Sequence, residues 1–534
     1  MSSSRPSDHV DSKQQITQPV LGFVGYARFF WRQITSMRTA LFLLLLLAFA
    51  AIPGSLVPQR SSDPNGVLQF QRDNPDLFAT LDTFQLFDTY TSVWFSAIYL
   101  LLFISLVGCV IPRTKHHYLA LRSRPPRTPA RLERLPGFTT STTELLPEET
   151  IESARRLLRR QGYRVELFSS GEGASAVHSV SAERGYLRET GNLVFHGALV
   201  GILIAVGIGG GFGFNGQRVV VEGQKFVNVL GDYDSFNPGR FFSTTTLEPY
   251  RLSLDSFEAV YELENQRAIG QPVDYTAFVT ATNPDSEDFE TTIKVNEPLR
   301  IGSTEVYLLG NGYAPTITVR DPEGTVVWTD SVPFLPQDAK LTSLGVVKVP
   351  DGLAEQVGMI GFFYPTVGTL ESGALTSGFP GLLDPVLTFR VYTGDLGLDE
   401  GVPRSVYTLN TDDMTQIAGK DAETASLQIR PGETVDIPGG LGTVEFTDVK
   451  RFASFDVHHD PSQLWVLFFA ILVLAGVLTG LFVPRRRIWV KAIANADGST
   501  TLQYAGLARG EDPGLETAVA DLAAAHSSQP EPKV

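Results

Sequence analysis

Residues Gly185–Gly213 read GYLRETGNLVFHGALVGILIAVGIGGGFG, and this stretch decides the fold. From Asn192 onward it is almost wholly apolar and about 20 residues long, the length a helix needs to cross a bilayer. The spacing places a third membrane span over 191–213, with Arg184 and Arg188 standing before it. His196 does not belong at membrane depth by solubility, and an ionisable residue there marks a functional site. At a rise of about 1.5 Å per residue it sits about 6–9 Å from the start of the apolar run. A neutral imidazole in that position can ligate iron or hydrogen-bond a neighbouring helix, and the residues alone leave both roles open. The glycines of 207–213 end a helix and follow no strand, so they are no dinucleotide loop. They suit close helix packing and a flexible exit.

Outward from this helix, three more apolar runs stand in an otherwise polar chain of 534 residues. The first span covers 39–57 and contains LFLLLLLAFAAI, with Pro53 weakening its far end. The second covers 93–111 and opens with Trp94, an interfacial anchor. The fourth covers 464–483 and is followed at once by Arg485, Arg486 and Arg487. The loop after the second span, PRTKHHYLALRSRPPRTPARLERL, is dense in Lys and Arg, and positive loops stay in the cytoplasm. Four spans then put both termini in the cytoplasm and the region between the third and fourth spans outside. The segment 1–38 is a cytoplasmic lead. Its first 19 residues read as disordered, and 20–37 mixes aromatics with Arg28 and Arg32 as an interfacial helix or a plain approach segment would. The segment 58–92 reads as a short polar extracytoplasmic loop with a turn at Asp63-Pro64-Asn65-Gly66. Cys109 is the single cysteine, which excludes an intramolecular disulfide, a CxxC pair and a thiolate zinc site. It reads as a small buried hydrophobe.

The basic segment 112–188 holds a small β-α-β-β module over 137–182. PEETIESARRLLRRQG is its amphipathic helix, with Ile151, Ala154, Leu157 and Leu158 on one face and arginines on the rest. His116 and His117 read as solvated or headgroup-facing, since no further ligand stands at a useful spacing. Residues 214–463 contain no apolar run and many short strand patterns separated by Pro and Gly turns. They predict a β-rich, sandwich-like domain or two stacked β-subdomains. Acids outnumber bases there by about two to one, against a net charge of −15 for the whole chain, which disfavours a nucleic-acid partner. The cytoplasmic tail 484–534 carries a short strand pair, IWVKAIANADGSTTLQYA. The fold class is therefore an integral membrane protein. It has four transmembrane α-helices, a large β-rich extracytoplasmic domain between helices 3 and 4, and a small α+β cytoplasmic module between helices 2 and 3. No phosphate loop, nucleophile elbow or zinc-helix motif stands in a supporting context. His458 and His459, in RFASFDVHHDPSQLW before the last span, are further candidate ligands. The same residues also suit a polar collar at a membrane helix.

Five stretches, in this order, resemble a ResB/CcsB-type cytochrome c biogenesis protein. They are SMRTALFLLLLLAFAAIPGSLVPQ, SVWFSAIYLLLFISLVGCVIPR, AERGYLRETGNLVFHGALVGILIAVG, VNEPL with GSTEVYLLG, and RFASFDVHHDPSQLWVLFFAILVLAGVLTGLFVPRRRIWV. The resemblance covers about residues 35–490 and implies a subunit of the System II synthase that attaches haem to c-type cytochromes. It implies haem b as a transient cofactor and His196 as an axial ligand to its iron. It also implies a CcsA/ResC-type membrane partner, apocytochrome c as client and, indirectly, a thioredoxin-like thiol reductant. The resemblance places a tryptophan-rich haem-handling loop on the partner; in this chain Trp31, Trp94, Trp328, Trp465 and Trp489 are scattered. This chain is then expected to be a non-catalytic or co-catalytic subunit in the plasma membrane. The rival readings are a cofactor-free membrane-anchored binding or scaffold protein and a haem exporter subunit.

Overall fold

Four helices meet the length and hydropathy of a bilayer crossing in the computed structural model, which describes residues 22–170, 177–284, 287–398 and 406–528. The disorder expected over 1–19, and Asp285 of the turn signal Asn283-Pro284-Asp285 between two strand patterns, lie outside the described residues. The chain divides into two compact units, one made of the segments through Val206 and from Gln463, the other of Gly207–Ser462.

The first unit holds the membrane helices. Helix α1 (Phe23–Ile34) buries no residue and exposes Phe23, Phe30 and Trp31. Helix α2 (Met37–Leu56) starts at Ser36, whose hydroxyl accepts from the Thr39 amide at 3.2 Å, and runs through Pro53. The segment expected as a polar loop is folded. It contains α3 (Pro64–Asp73), α4 (Pro75–Thr83) and a 3₁₀ turn at Leu86–Thr91, gathered around the fully buried Phe87. The four residues read as a turn are a helix start: Asp63 accepts from the Gly66 amide at 2.8 Å, and Pro64 takes the first helical turn, where its missing N–H costs nothing. Helix α5 (Val93–Arg122) continues 11 residues past Ile111, the expected end of its span. Good helix formers follow Pro112, and 30 residues make about 45 Å, more than the apolar layer needs, so its basic last third stands beyond that layer. Gly108 lets α5 approach Thr35, where Ser105 and Cys109 donate to the carbonyls of Ile34 and Thr35 at 2.6 and 2.9 Å.

The soluble part of this unit contains β1 (Thr139–Thr143), α6 (Pro147–Arg160), β2 (Arg164–Ser170) and β3 (Val177–Arg184), followed by helix α7 (Leu187–Phe212). The β-α-β-β module does not close by itself. Its five-stranded antiparallel sheet runs β1-β24-β23-β3-β2 and takes its middle strands from the tail. These are β23 (Arg486–Ala494) and β24 (Thr500–Ala508), which follow helix α8 (Gln463–Phe482); helix α9 (Leu515–Ser527) comes after them. Ile151, Ala154 and Leu158 of α6 pack on Val180, Ala182, Val490 and Tyr504, with Val519 and Leu522 of α9 in the same core. At the two strand–helix junctions Glu183, with 4% of its side chain exposed, accepts from Arg485 at 2.8 Å and Arg487 at 3.1 Å. Gly185, at φ +90°, lies so close to Pro484 that a Cβ would sit 2.1 Å from its carbonyl oxygen.

The second unit is β-rich throughout its length. One sheet contains β4 (Phe214–Val221), β6 (Ser235–Pro238), β10 (Leu299–Ile301), β11 (Thr304–Arg320), β12 (Val326–Ser331), β21 (Thr434–Ile437) and β22 (Gly442–His459). A second contains β5 (Lys225–Val227), β7 (Arg251–Tyr261), β8 (Pro272–Thr282) and β9 (Phe289–Lys294). A third contains β13 (Leu335–Pro336), β14 (Ser343–Val349), β15 (Val357–Tyr364), β18 (Val386–Thr393), β19 (Thr415–Ala418) and β20 (Leu427–Ile429). Strands β16 (Val367–Thr369) and β17 (Leu375–Ser377) form a separate ribbon. The paired strands β11 and β22, 17 and 18 residues long, pass through both apolar cores of the unit. Val306, Phe455 and Val457 pack with the second sheet, whereas Ile317, Val319, Val444 and Phe446 pack with the third. The unit is thus two β-sandwiches on a shared two-stranded spine.

Candidate functional site

Helix α7 presents one face to α8, while a Cβ on Gly197, beside His196, would meet nothing within 4 Å. Gly191 and Gly476 let the two backbones meet: a Cβ on Gly476 would lie 2.6 Å from the Phe195 nitrogen and 2.7 Å from the Gly191 oxygen. Phe469 packs where Gly201 lacks a side chain, and Ala198 and Ala205 are buried along the same line. His196 is rotated about 140–180° around the helix from these residues, at 100° per residue. It therefore stands on the face turned away from α8.

The ring of His196 is oriented from its own helix. Its Nδ1 lies 2.8 Å from the Asn192 carbonyl oxygen, one turn back, and Phe195 meets it edge-on with ring centroids 4.8 Å apart. A carbonyl oxygen only accepts, so the proton is assigned to Nδ1 and the lone pair to Nε2. Nε2 has no hydrogen-bond partner among the described residues. This is the arrangement found in ligating histidines, where a hydrogen bond at one nitrogen fixes the tautomer and leaves the other to bind metal. Helix α7 carries no second histidine, and no group of three or more His, Cys, Asp or Glu suited to a metal ion occurs among the described residues. The residues present would thus fit a haem iron through one ligand, the unpartnered Nε2 of His196.

The pair His116 and His117 splits, because α5 continues as a helix through it and turns consecutive side chains apart by about 100°. His116 is exposed, as expected. His117, expected to be solvated, is buried, and its Nε2 lies 3.0 Å from the Thr190 hydroxyl of α7. The phenol of Tyr99, on the same helix α5, donates to the Leu203 carbonyl. The HH dipeptide hid this contact, since only the helix phase past Pro112 tells which of the two faces α7.

His458 and His459 belong to the second unit, at the end of β22. His459 is oriented as His196 is: its Nδ1 donates to the Ser303 carbonyl at 2.7 Å, its ring stacks on Phe214 at 5.5 Å, and its Nε2 has no hydrogen-bond partner among the described residues. His458 pairs across the sheet with Glu305 and Asn215, two residues along from Asp456. Burial pushes the Asp456 carboxyl up from its ordinary range, partly offset by the charge of His458 and the Asn215 amide at 3.4 Å. Oδ1 of Asp456 and Oδ1 of Asn215 are buried without a hydrogen-bond partner among the described residues. These groups form a polar patch on the sheet, and no group of three or more His, Cys, Asp or Glu suited to a metal ion occurs there among the described residues.

Helices and domain together define a multi-pass membrane protein with a β-rich region inserted between its last two apolar helices and one histidine on the open face of the helix before it. The chain belongs to the ResB-like family, whose sequence profile matches residues 37–520. It is similar to the cytochrome c biogenesis protein CcsB of Synechococcus sp. strain WH7803, 26% identical over 282 residues, which are 51% of this chain and 58% of that one. The CcsB of Prochlorococcus marinus strain AS9601 is 25% identical over 298 residues, covering 52% and 59%. That of Synechococcus sp. strain JA-2-3B'a(2-13) is 24% identical over 345 residues, covering 60% and 68%. The chain thus spans just under three-fifths of the length of the first two of these relatives.

Proposed function

We propose that this chain is a subunit of the machinery that assembles c-type cytochromes, and that His196 offers Nε2 as one axial ligand to haem b within the membrane. The observation that carries the reading is the state of His196: Nδ1 bound to the Asn192 carbonyl, Nε2 free, on the face of α7 that α8 leaves open. Haem held there would supply an iron centre, and the His196 imidazole would be the group of this chain that holds it. The chain's own contributions are to fix the tautomer through Asn192, to limit ring rotation through Phe195, and to keep α7 rigid through the Gly191–Gly476 crossing. A CcsA/ResC-type protein is the proposed partner, with apocytochrome c as client and a thiol reductant acting on that client. The basic segments after α5 and after α8 support cytoplasmic placement of both termini and of the five-stranded module in the plasma membrane, with the β-rich unit outside. The role of that unit is to orient client or partner, so the chain is co-catalytic and the covalent bond forms at the partner's site.

The test is the full chain purified with its partner, with and without His196→Ala. The substitution is expected to abolish the haem absorption band and to lower holocytochrome to near background. Added imidazole is expected to restore part of both. An unchanged band and unchanged holocytochrome would sink the ligand assignment and leave His196 as a helix-packing residue of a cofactor-free scaffold.

A further inference from the structure

An open cleft of about 1350 Å³ lies where α5, α7 and α8 end beside β24. Its charge is lopsided. Among the described residues six arginines line it, against two carboxylates, Glu183 and Glu189. Those two are already engaged: Glu183 by Arg485 and Arg487, Glu189 by Arg509 at 2.6 Å and Arg485 at 3.6 Å. Arg113 and Arg188 face no carboxylate within ion-pair distance among the described residues. Arg113 reaches only the Met37 sulfur, and Arg188 donates to the Arg509 carbonyl. On its other side the cleft is apolar, lined by Leu193, Phe195, Val477 and Leu481 from two membrane helices, with Gly476 and Gly480 between them.

We infer that this cleft binds the phosphate headgroup of an acidic phospholipid, with the acyl chains lying along the α7–α8 side. Two guanidiniums without a carboxylate partner are forked donors matched to a phosphate. A free phosphate would satisfy the arginines and leave the apolar side in water. A neutral lipid would do the reverse. Only an anionic amphiphile answers both halves, and basic pockets between membrane helices are suited to such headgroups. The occupant would also fill the space beside Asn192, the residue that orients His196, so the site lies next to the proposed ligand without including it.

The experiment uses the full chain, delipidated in a neutral detergent and titrated separately with phosphatidylglycerol, phosphatidylcholine and inorganic phosphate. Thermal midpoint and native mass spectrometry are the readouts. Phosphatidylglycerol is expected to raise the midpoint and to remain bound in the spectrum, whereas phosphatidylcholine and phosphate do neither. Arg113→Gln and Arg188→Gln are each expected to weaken half-saturation about fivefold, the effect of about 1 kcal/mol per basic residue near anionic lipid. Arg113 is exposed on α5 and outside the junction ion pairs, so its variant keeps the test open if the Arg188 variant folds poorly. Equal response to both lipids, unchanged affinity in the Arg113 variant, or a full response to inorganic phosphate would each overturn the inference.

Discussion

Glu183 is buried at the strand–helix junctions, where it pairs with Arg485 and Arg487. Burial alone would raise its pKa, but hydrogen bonds from Tyr186 and Arg485 and the charge of Arg487 overcome that and hold it below the usual carboxylate range. A depressed carboxylate stabilises the fold above its unfolded pKa and loses that contribution as pH falls through the folded value. His526 adds an earlier acid limb. Its Nδ1 accepts from the Tyr504 hydroxyl at 2.8 Å and its Nε2 donates to the Thr150 carbonyl at 3.1 Å, while burial holds it below its ordinary 6.5. The unfolded chain takes up that proton first, so stability falls as pH drops below about 6.5. The full chain in detergent should therefore lose thermal midpoint in two steps, one starting near pH 6.5 and one below about pH 4.5. His526→Leu should remove the first step alone; a single step unaffected by that change would contradict the assignment. Glu183→Gln leaves Arg485, 11% exposed, with only the longer contact to Glu189 at 3.6 Å and should cost about 3 kcal/mol, read by denaturant unfolding at pH 7.

At the scale of elements, the α7–α8 crossing separates packing from function. Gly476→Leu would drive its side chain into the α7 backbone, so the helices must part. The variant should lower the thermal midpoint of the isolated chain by several degrees. A Cβ on Gly197, next to His196, would meet nothing within 4 Å. Gly197→Leu should therefore leave the midpoint of the isolated chain unchanged and reduce co-purification with the partner. Reduced stability in the isolated Gly197 variant would show that this face is already covered. The spans were legible in sequence because about 20 apolar residues in water leave few alternatives. Their ends were less so: α5 runs on past Ile111 because Pro112 interrupts one hydrogen bond and not the helix. Asp63-Pro64 reads equally as a turn or as a cap with a first-turn proline, and Phe87, the core that decides, lies more than 20 residues away. For His196, the residue type and the apolar run identified the position. Its tautomer and its open face depend on a backbone carbonyl and on a neighbouring helix more than 250 residues away in the chain, which no local pattern encodes.

For the whole molecule, the decisive fact is that the first unit is made from two ends of the sequence. Strand β3 ends at Arg184 and its neighbour β23 begins at Arg486, with α7, the entire β-rich unit and α8 between them. This was the part of the architecture least visible in sequence, because IWVKAIANADGSTTLQYA looks like any tail hairpin and strand partners at such separation leave no periodicity. The pairing has a consequence for folding. Strands β23 and β24 are the middle of the sheet, so β1 has no partner until they arrive, and Ile151, Ala154 and Leu158 of α6 lack half the surface they bury against. Loop-closure entropy grows slowly with the length of the connection and is lower where the intervening region folds on its own. Residues 207–462 have two apolar cores and an antiparallel spine internal to the unit. Expressed alone, they should give a β-type circular dichroism spectrum and one or two cooperative melts. A chain stopped after Pro484 retains all four spans and this unit but lacks β23, β24 and α9, and should be cleaved by added protease between 124 and 184 while 207–462 stays resistant. Protection of 124–184 in that truncated chain would show that the module closes without its middle strands, and that β23 and β24 are additions to a finished sheet instead of its centre.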